Sequence, residues 1–220
     1  MKPWPSDLPP LPEGTPGDRP VALLLRHAER PPIAPGEHGT DLALTAHGRR
    51  SAERLGATLR PRILSLSTSP VRRCRETAEA MRRGAGLDID IVDDRLLGDP
   101  GVFVTDPELA WTHWQTMGHE AVVEHIARAG HPLPGLAPPV HAAHQLARHL
   151  VRALQDSPVG LHIFVTHDAV LYPTISRLLA GTYGQPGWPM YLEAAALWGV
   201  PPESTIAYHH TNAHIPRGAP

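Results

Sequence analysis

The sequence predicts a three-layer α/β/α sandwich, a mainly parallel central sheet with helices on both faces and a small helical cap inserted into it. Three observations carry this expectation. The apolar runs Val21–Leu25 and Leu161–Val165 have the length of buried strands. Segments with helical periodicity separate such runs, so strands and helices alternate. The composition, 41% hydrophobic and 19% charged over 220 residues, suits one soluble domain with a sizeable core.

Taken in order, the first 19 residues are proline-rich and read as an extended arm. Val21–Leu25 is the first strand. A Pro/Gly loop follows, and Thr45 is placed to cap a helix over Ala46–Arg60, where Ala52, Leu55 and Leu59 share a face. Ile63–Leu66 reads as the second strand. Ser69-Pro70 has the form of an N-cap with proline at the first helical position, opening a helix to about Arg83 that Gly84 and Gly86 end. Leu87–Val92 alternates apolar and acidic residues, as a half-exposed third strand would.

Residues 95–140 break the β-α rhythm and read as the cap, with helices over Asp106-Pro107 to Met117 and over Val122–Ala129 and a loop from Gly130 to Pro139. An amphipathic helix over His141–Leu154 and the strand Leu161–Val165 resume the pattern. A helix over Val170–Leu179, closed by Gly181, comes next, and Ala194–Trp198 and Thr205–Tyr208 form a closing antiparallel pair. The single domain spans 20–212, and 213–220 is expected to be a flexible tail.

Composition removes several classes of function. A net charge of −2 gives no global basic field for nucleic acid. The one cysteine, Cys74, rules out an internal disulfide framework and fits a reducing, cytoplasmic setting. Neither a transmembrane run nor the apolar core of a signal peptide is visible, so no membrane partner is expected. The histidines outside the strand tips show no complete metal-ligand pattern, and no metal or cofactor is expected.

The chemistry concentrates where two apolar runs end. The first spills into Arg26-His27-Ala28-Glu29-Arg30-Pro31-Pro32, and the fourth strand into Thr166-His167-Asp168. Ligands of open α/β sheets sit beyond the strand C-termini, so Arg26, His27 and Arg30 are aimed at an anion. A histidine between arginines suits attack on a phosphoryl group, because the cations neutralise its charge while the ring supplies a lone pair. If the two strands are neighbours, His27 and His167 face one crevice. Trp111, Trp114, Tyr183, Trp188 and Tyr191 are candidates for a substrate cleft or for packing.

These segments resemble the histidine phosphatase superfamily, the phosphoglycerate mutase-like fold. Arg26-His27-Ala28-Glu29 is similar to its Arg-His-Gly-Glu signature. Leu44-Thr45 through Gly48 to Ala52 resembles its Leu-Thr-x-x-Gly-x-x-x-Ala helix start, and Thr68-Ser69-Pro70 through Arg73 to Thr77-Ala78 resembles its Ser-Ser-Pro block. Thr166-His167-Asp168 resembles its second histidine motif, so four motifs match in order over about 21–180. The resemblance implies that His27 is the nucleophile and forms a phosphohistidine. It implies that Arg26 and Arg73 hold the phosphoryl oxygens and that His167 completes the pocket.

The pattern is mixed. Arg30 with Pro32, and His167-Asp168, follow the acid phosphatase branch, in which the aspartate is the proton donor. The short chain follows the mutase branch, yet Leu96–Gly101 carries no glutamate where that branch places one. Asp168 is therefore the first candidate for the acid, Asp99 the second and Glu29 the third, with bracing of the loop as the other reading of Glu29. Arg72 and Arg75 read as surface or salt-bridge residues. The function expected is a metal-independent phosphomonoesterase acting on a small phosphorylated substrate. A mutase-like phosphoryl transferase, a protein phosphohistidine phosphatase and a catalytically silent phospho-ligand-binding module are its rivals. Physiological substrate and oligomeric state are not legible.

Overall fold

The computed structural model describes residues 5–34, 36–180, 187–200 and 203–215. Its centre is a seven-stranded sheet of β1 (Pro20–Arg26), β2 (Ile63–Thr68), β3 (Ile91–Asp93), β4 (Gly160–Thr166), β5 (Ala194–Val200), β6 (Glu203–Tyr208) and β7 (Thr211–Ile215), in the order β3-β2-β4-β1-β5-β6-β7. The first four of that order run parallel, and β5, β6 and β7 join antiparallel. The expected neighbours are side by side, with Arg26 in register with Thr166.

The apolar runs are continuous because both faces of the sheet are buried. Successive residues of β1 go to opposite layers: Val21, Leu23 and Leu25 pack with helices α1 (Ala46–Leu59) and α2 (Arg72–Ala85). Ala22 and Leu24 pack on the other side with α5 (Pro139–Arg152) and α6 (Asp168–Leu178). Between β3 and α5 lie α3 (Pro107–Met117) and α4 (His119–Arg128), the helices of the expected cap. Thr45 caps α1 as expected, accepting from the Gly48 N–H. Glycine sets the spacing of α1 and α2: a Cβ at Gly84 would lie 1.8 Å from the Glu53 carbonyl oxygen.

Several boundaries differ from the expectation, each for a local reason. Gly84 does not end α2 but packs within it, and Gly86, left-handed at φ 61°, is the terminator. The helix begins at Arg72 with Val71 at the cap, and the Ser69 hydroxyl both accepts from the Val71 N–H at 3.4 Å and faces His167 at 3.0 Å. Of the expected third strand Leu87–Val92, only Ile91 and Val92 pair with β2, joined by Asp93, while Leu87 and Ile89 pack on the core without joining the sheet. Residues 213–215, expected in the tail, are the end of β7, paired with Ser204–Ile206 of β6. Residues 216–220 lie outside the described residues, as do Gly181 and Tyr183.

The described part of the arm has no helix or strand, and it is docked. Leu8 is buried in the α1/α2 cluster, and Asp7 pairs with Arg54 of α1. Among the described residues, no helix is long and apolar enough to cross a membrane.

Candidate active site

β1 and β4 end together, so the residues just beyond them meet. The His27 N–H donates to the Thr166 carbonyl at 2.8 Å, and the His27 and His167 rings stand edge to face with centroids 5.5 Å apart. Both are buried, His27 to 1% exposure. They line a cavity of about 580 Å3 with Arg30, Arg73, His119 and Asp168.

Hydrogen bonds fix the state of each ring. His27 Nδ1 lies 2.7 Å from the Ala28 carbonyl, an acceptor only, so Nδ1 carries the proton and Nε2 the lone pair. The Arg73 Nε–H donates to that lone pair at 3.1 Å. Another nitrogen of the same guanidinium donates to His167 Nδ1 at 3.1 Å, which puts the His167 proton on Nε2, 3.0 Å from the Ser69 hydroxyl. Burial, then the Arg73 charge, pushes the His27 pKa down to about 3 against the pull of the Ala28 carbonyl. Burial, Arg73 and His27 also hold His167 well below the usual histidine range.

The loop that presents His27 is braced by the motif residues around it. The Ala28 N–H donates to Thr77 Oγ1 at 3.0 Å, and that hydroxyl donates to the Arg73 carbonyl at 2.7 Å. Thr45 donates to the Glu29 carboxylate at 2.9 Å. A Cβ at Gly48 would lie 2.3 Å from the Glu29 carbonyl oxygen, so glycine lets the start of α1 seat on the loop. Ala28 is not among the residues with positive φ, which explains why a side chain is accepted there.

Arg26 is buried beside the two rings. It donates to Asp168 Oδ2 at 2.7 Å and to the Pro189 carbonyl, and its guanidinium lies 4.3 Å from the centroid of the Tyr191 ring. Its Nε–H is buried and has no partner, and the same holds for Arg30 Nε. Arg30 lines the cavity and so brings a donor with unmet capacity to it, as an oxyanion site requires.

The three acid candidates fall in different places. Asp168 is buried, and its carboxylate takes four N–H donors: Arg26, Trp188 Nε1 at 3.3 Å, His119 Nε2 at 3.2 Å and the Ala169 backbone at 2.9 Å. Desolvation is outweighed by the His119 hydrogen bond and the Arg26 charge, so its pKa lies far below the usual carboxylate range. Asp99 does not line the cavity that holds His27, and it pairs with Arg95 at 3.7 Å. Glu29 points to the start of α1. Arg72 and Arg75 form ion pairs with Glu76 and Asp93.

The sequence reading did not foresee the roles of three participants. Ser69 looked like a helix cap only, and its hydroxyl also holds His167. Tyr191, a cleft candidate, packs on Arg26 and, at 5.7 Å between centroids, on His27. His119 reaches Asp168 from the start of α4, where Trp114 Nε1 donates to its Nδ1 at 3.2 Å and fixes the proton on Nε2. No local signal marks it out among 15 histidines. Among the described residues, no group of three or more His, Cys, Asp or Glu could hold a metal ion.

Two histidines at adjacent strand tips, spanned by one arginine in an α/β sandwich, define a class of site suited to moving a phosphoryl group through an imidazole. The chain belongs to the histidine phosphatase superfamily (branch 1), whose family model matches residues 22–204. No curated protein sequence matches it. Among solved structures it is similar in fold to Bacillus stearothermophilus YhfR, at 21% identity and TM-score 0.58 over 89% of this chain and 99% of that one. It is likewise similar to phosphoglycerate mutase from Bacillus anthracis str. Sterne, at 14% identity and TM-score 0.58 over 92% and 95% of the two chains. A mycobacterial glucosyl-3-phosphoglycerate phosphatase in complex with VO3 matches at 20% identity and TM-score 0.55 over 87% and 99%.

Proposed function

We propose that the protein is a metal-independent phosphomonoesterase that works through a phosphohistidine at His27. The observation that carries this reading is the tautomer of His27. With Nδ1–H tied to the Ala28 carbonyl, the Nε2 lone pair is held toward Arg73 and His167 in the cavity. The Nε2 lone pair attacks phosphorus, a P–N bond forms and the ester P–O bond breaks with its electron pair on the leaving oxygen. Water then attacks phosphorus and the P–N bond breaks, which frees phosphate and returns the lone pair to Nε2; the proton lost by the water leaves with phosphate or to solvent.

Arg73 is placed to exchange its bonds with the two rings for bonds to the phosphoryl oxygens. The unpaired Nε–H of Arg26 and of Arg30, with His167 Nε2–H, would supply further donors. Asp168 enters this scheme as an anion. With four donors on its two oxygens it aims Arg26 and ties the cap, through His119, to the strand tips. The His-Asp pair shared with the acid phosphatase branch thus supplies an anchor rather than a proton, and the leaving oxygen takes its proton from solvent.

Release of phosphate from p-nitrophenyl phosphate in the presence of EDTA tests this reading. Turnover that survives the chelator supports it. Turnover lost with EDTA and restored by added metal contradicts it.

A further inference from the structure

A second cavity opens from the same phosphate pocket. It holds about 380 Å3, within the roughly 300–1,000 Å3 typical of ligand sites, and it shares Arg73 and His167 with the larger cavity. Phe103, Val104, Ala110, Trp114, Ile126 and Val170 form its apolar lining beneath the cap. Trp111 lines both cavities and stacks on His38 with centroids 3.4 Å apart, so the pair stands between them.

The charges around this second cavity are few. Arg73 belongs to the two histidines, and the exposed Arg95 and Asp99 stand 3.7 Å apart with opposite charges. A second phosphate or a carboxylate on the substrate would meet Asp99 wherever it met Arg95. A sugar would bury hydroxyl groups against apolar side chains, which is costly without partners. An apolar ring would gain from the same surface.

The state of Asp168 points the same way independently. A carboxylate holding four N–H donors has no proton to give. The site is then suited to leaving groups that depart as stabilised anions, such as phenolates.

We propose that this apolar cavity is the leaving-group subsite and that the substrates are phosphate monoesters of aromatic alcohols carrying no second charge. This rests on the phosphatase reading above. The experiment compares kcat/KM for phenyl phosphate, 1-naphthyl phosphate and glycerol phosphate in the wild type, His27→Ala and Val104→Trp. Phenol and naphthol are of similar acidity, so their ratio reads the ring and not the ease of departure. Val104 lines the apolar cavity and not the larger one.

The expected result is a naphthyl preference over phenyl of about tenfold or more, expressed in KM, with glycerol phosphate slowest. Val104→Trp should cut that preference to about twofold or less. Should the variant not fold, 1-naphthol as a competitive inhibitor of the wild type, stronger than phenol by a similar factor, gives the same reading. Equal use of phenyl and naphthyl esters, naphthol no better than phenol, or a preference for glycerol phosphate overturns the subsite while His27-dependent turnover upholds the phosphatase. Turnover of the aryl esters that His27→Ala retains above about a tenth of the wild-type value overturns the phosphohistidine reading itself.

Discussion

The Arg73 Nε–H points at Nε2 of His27 from 3.1 Å. A protonated His27 would set two donors face to face beside a guanidinium, in a site with 1% exposure. The ring is therefore neutral in the folded chain, with its pKa lowered to about 3.

A pH dependence of stability follows. Unfolded, His27 titrates at about 6.5. Between that value and about 3 the unfolded chain binds the proton and the folded chain does not, so this contribution is present above the unfolded pKa and is lost as pH falls. His167 is shifted in the same direction and adds to the effect. Thermal melting should show a falling Tm from pH 7 to pH 5, with a smaller fall in His27→Gln, whose side chain does not titrate. An equal fall in both proteins would contradict the buried neutral state of His27.

Gly98 limits the position of His167. At φ 150°, a Cβ there would lie 2.6 Å from His167 Nε2 and from the Ser69 hydroxyl. Gly98→Ala should push the ring off Ser69, with a loss of activity of about tenfold to a hundredfold and of stability of about 1–3 kcal/mol. Gly86→Ala is the control: it strains a left-handed residue with nothing within 4 Å, so it should cost about 1 kcal/mol and leave kcat/KM unchanged. Kinetics and denaturant melts of the two variants check this, and a fully active Gly98→Ala would show that His167 need not be held there.

Asp168→Asn separates anchor from acid. As an anchor of Arg26, its loss should lower kcat/KM by about the same factor, tenfold or more, for p-nitrophenyl phosphate and for an alkyl phosphate. A proton donor would instead show a loss concentrated on the alkyl ester, whose leaving oxygen needs the proton more. Measurement of both substrates with both proteins decides between them.

The parts of the molecule that the sequence revealed are those where chemistry contradicts packing. Val21–Leu25 and Leu161–Val165 are apolar runs broken by Arg26-His27 and His167-Asp168, and a buried strand has no packing reason to end that way. β7 was illegible because Thr211–Ile215 is an edge strand, with only Ala213 and Ile215 packed on the core. Ser69-Pro70 has the chemistry of a helix start, and only the approach of His167 from the end of β4, 98 positions away, gives its hydroxyl a second partner in the site. The state of Asp168 depends on His119 of α4, Arg26 of β1 and Trp188 of the segment before β5 converging on it. A sequence motif can name such a carboxylate but not count its donors.

The central claim is covalent chemistry at His27, and a quenched-flow experiment with labelled p-nitrophenyl phosphate tests it most directly. The account predicts an acid-labile, base-stable phosphoryl label on the peptide that contains His27. It also predicts that His27→Ala keeps its fold by circular dichroism while losing both label and turnover by several orders of magnitude. A His27→Ala protein that retains more than about a tenth of wild-type kcat, or a label found on another residue, would contradict it.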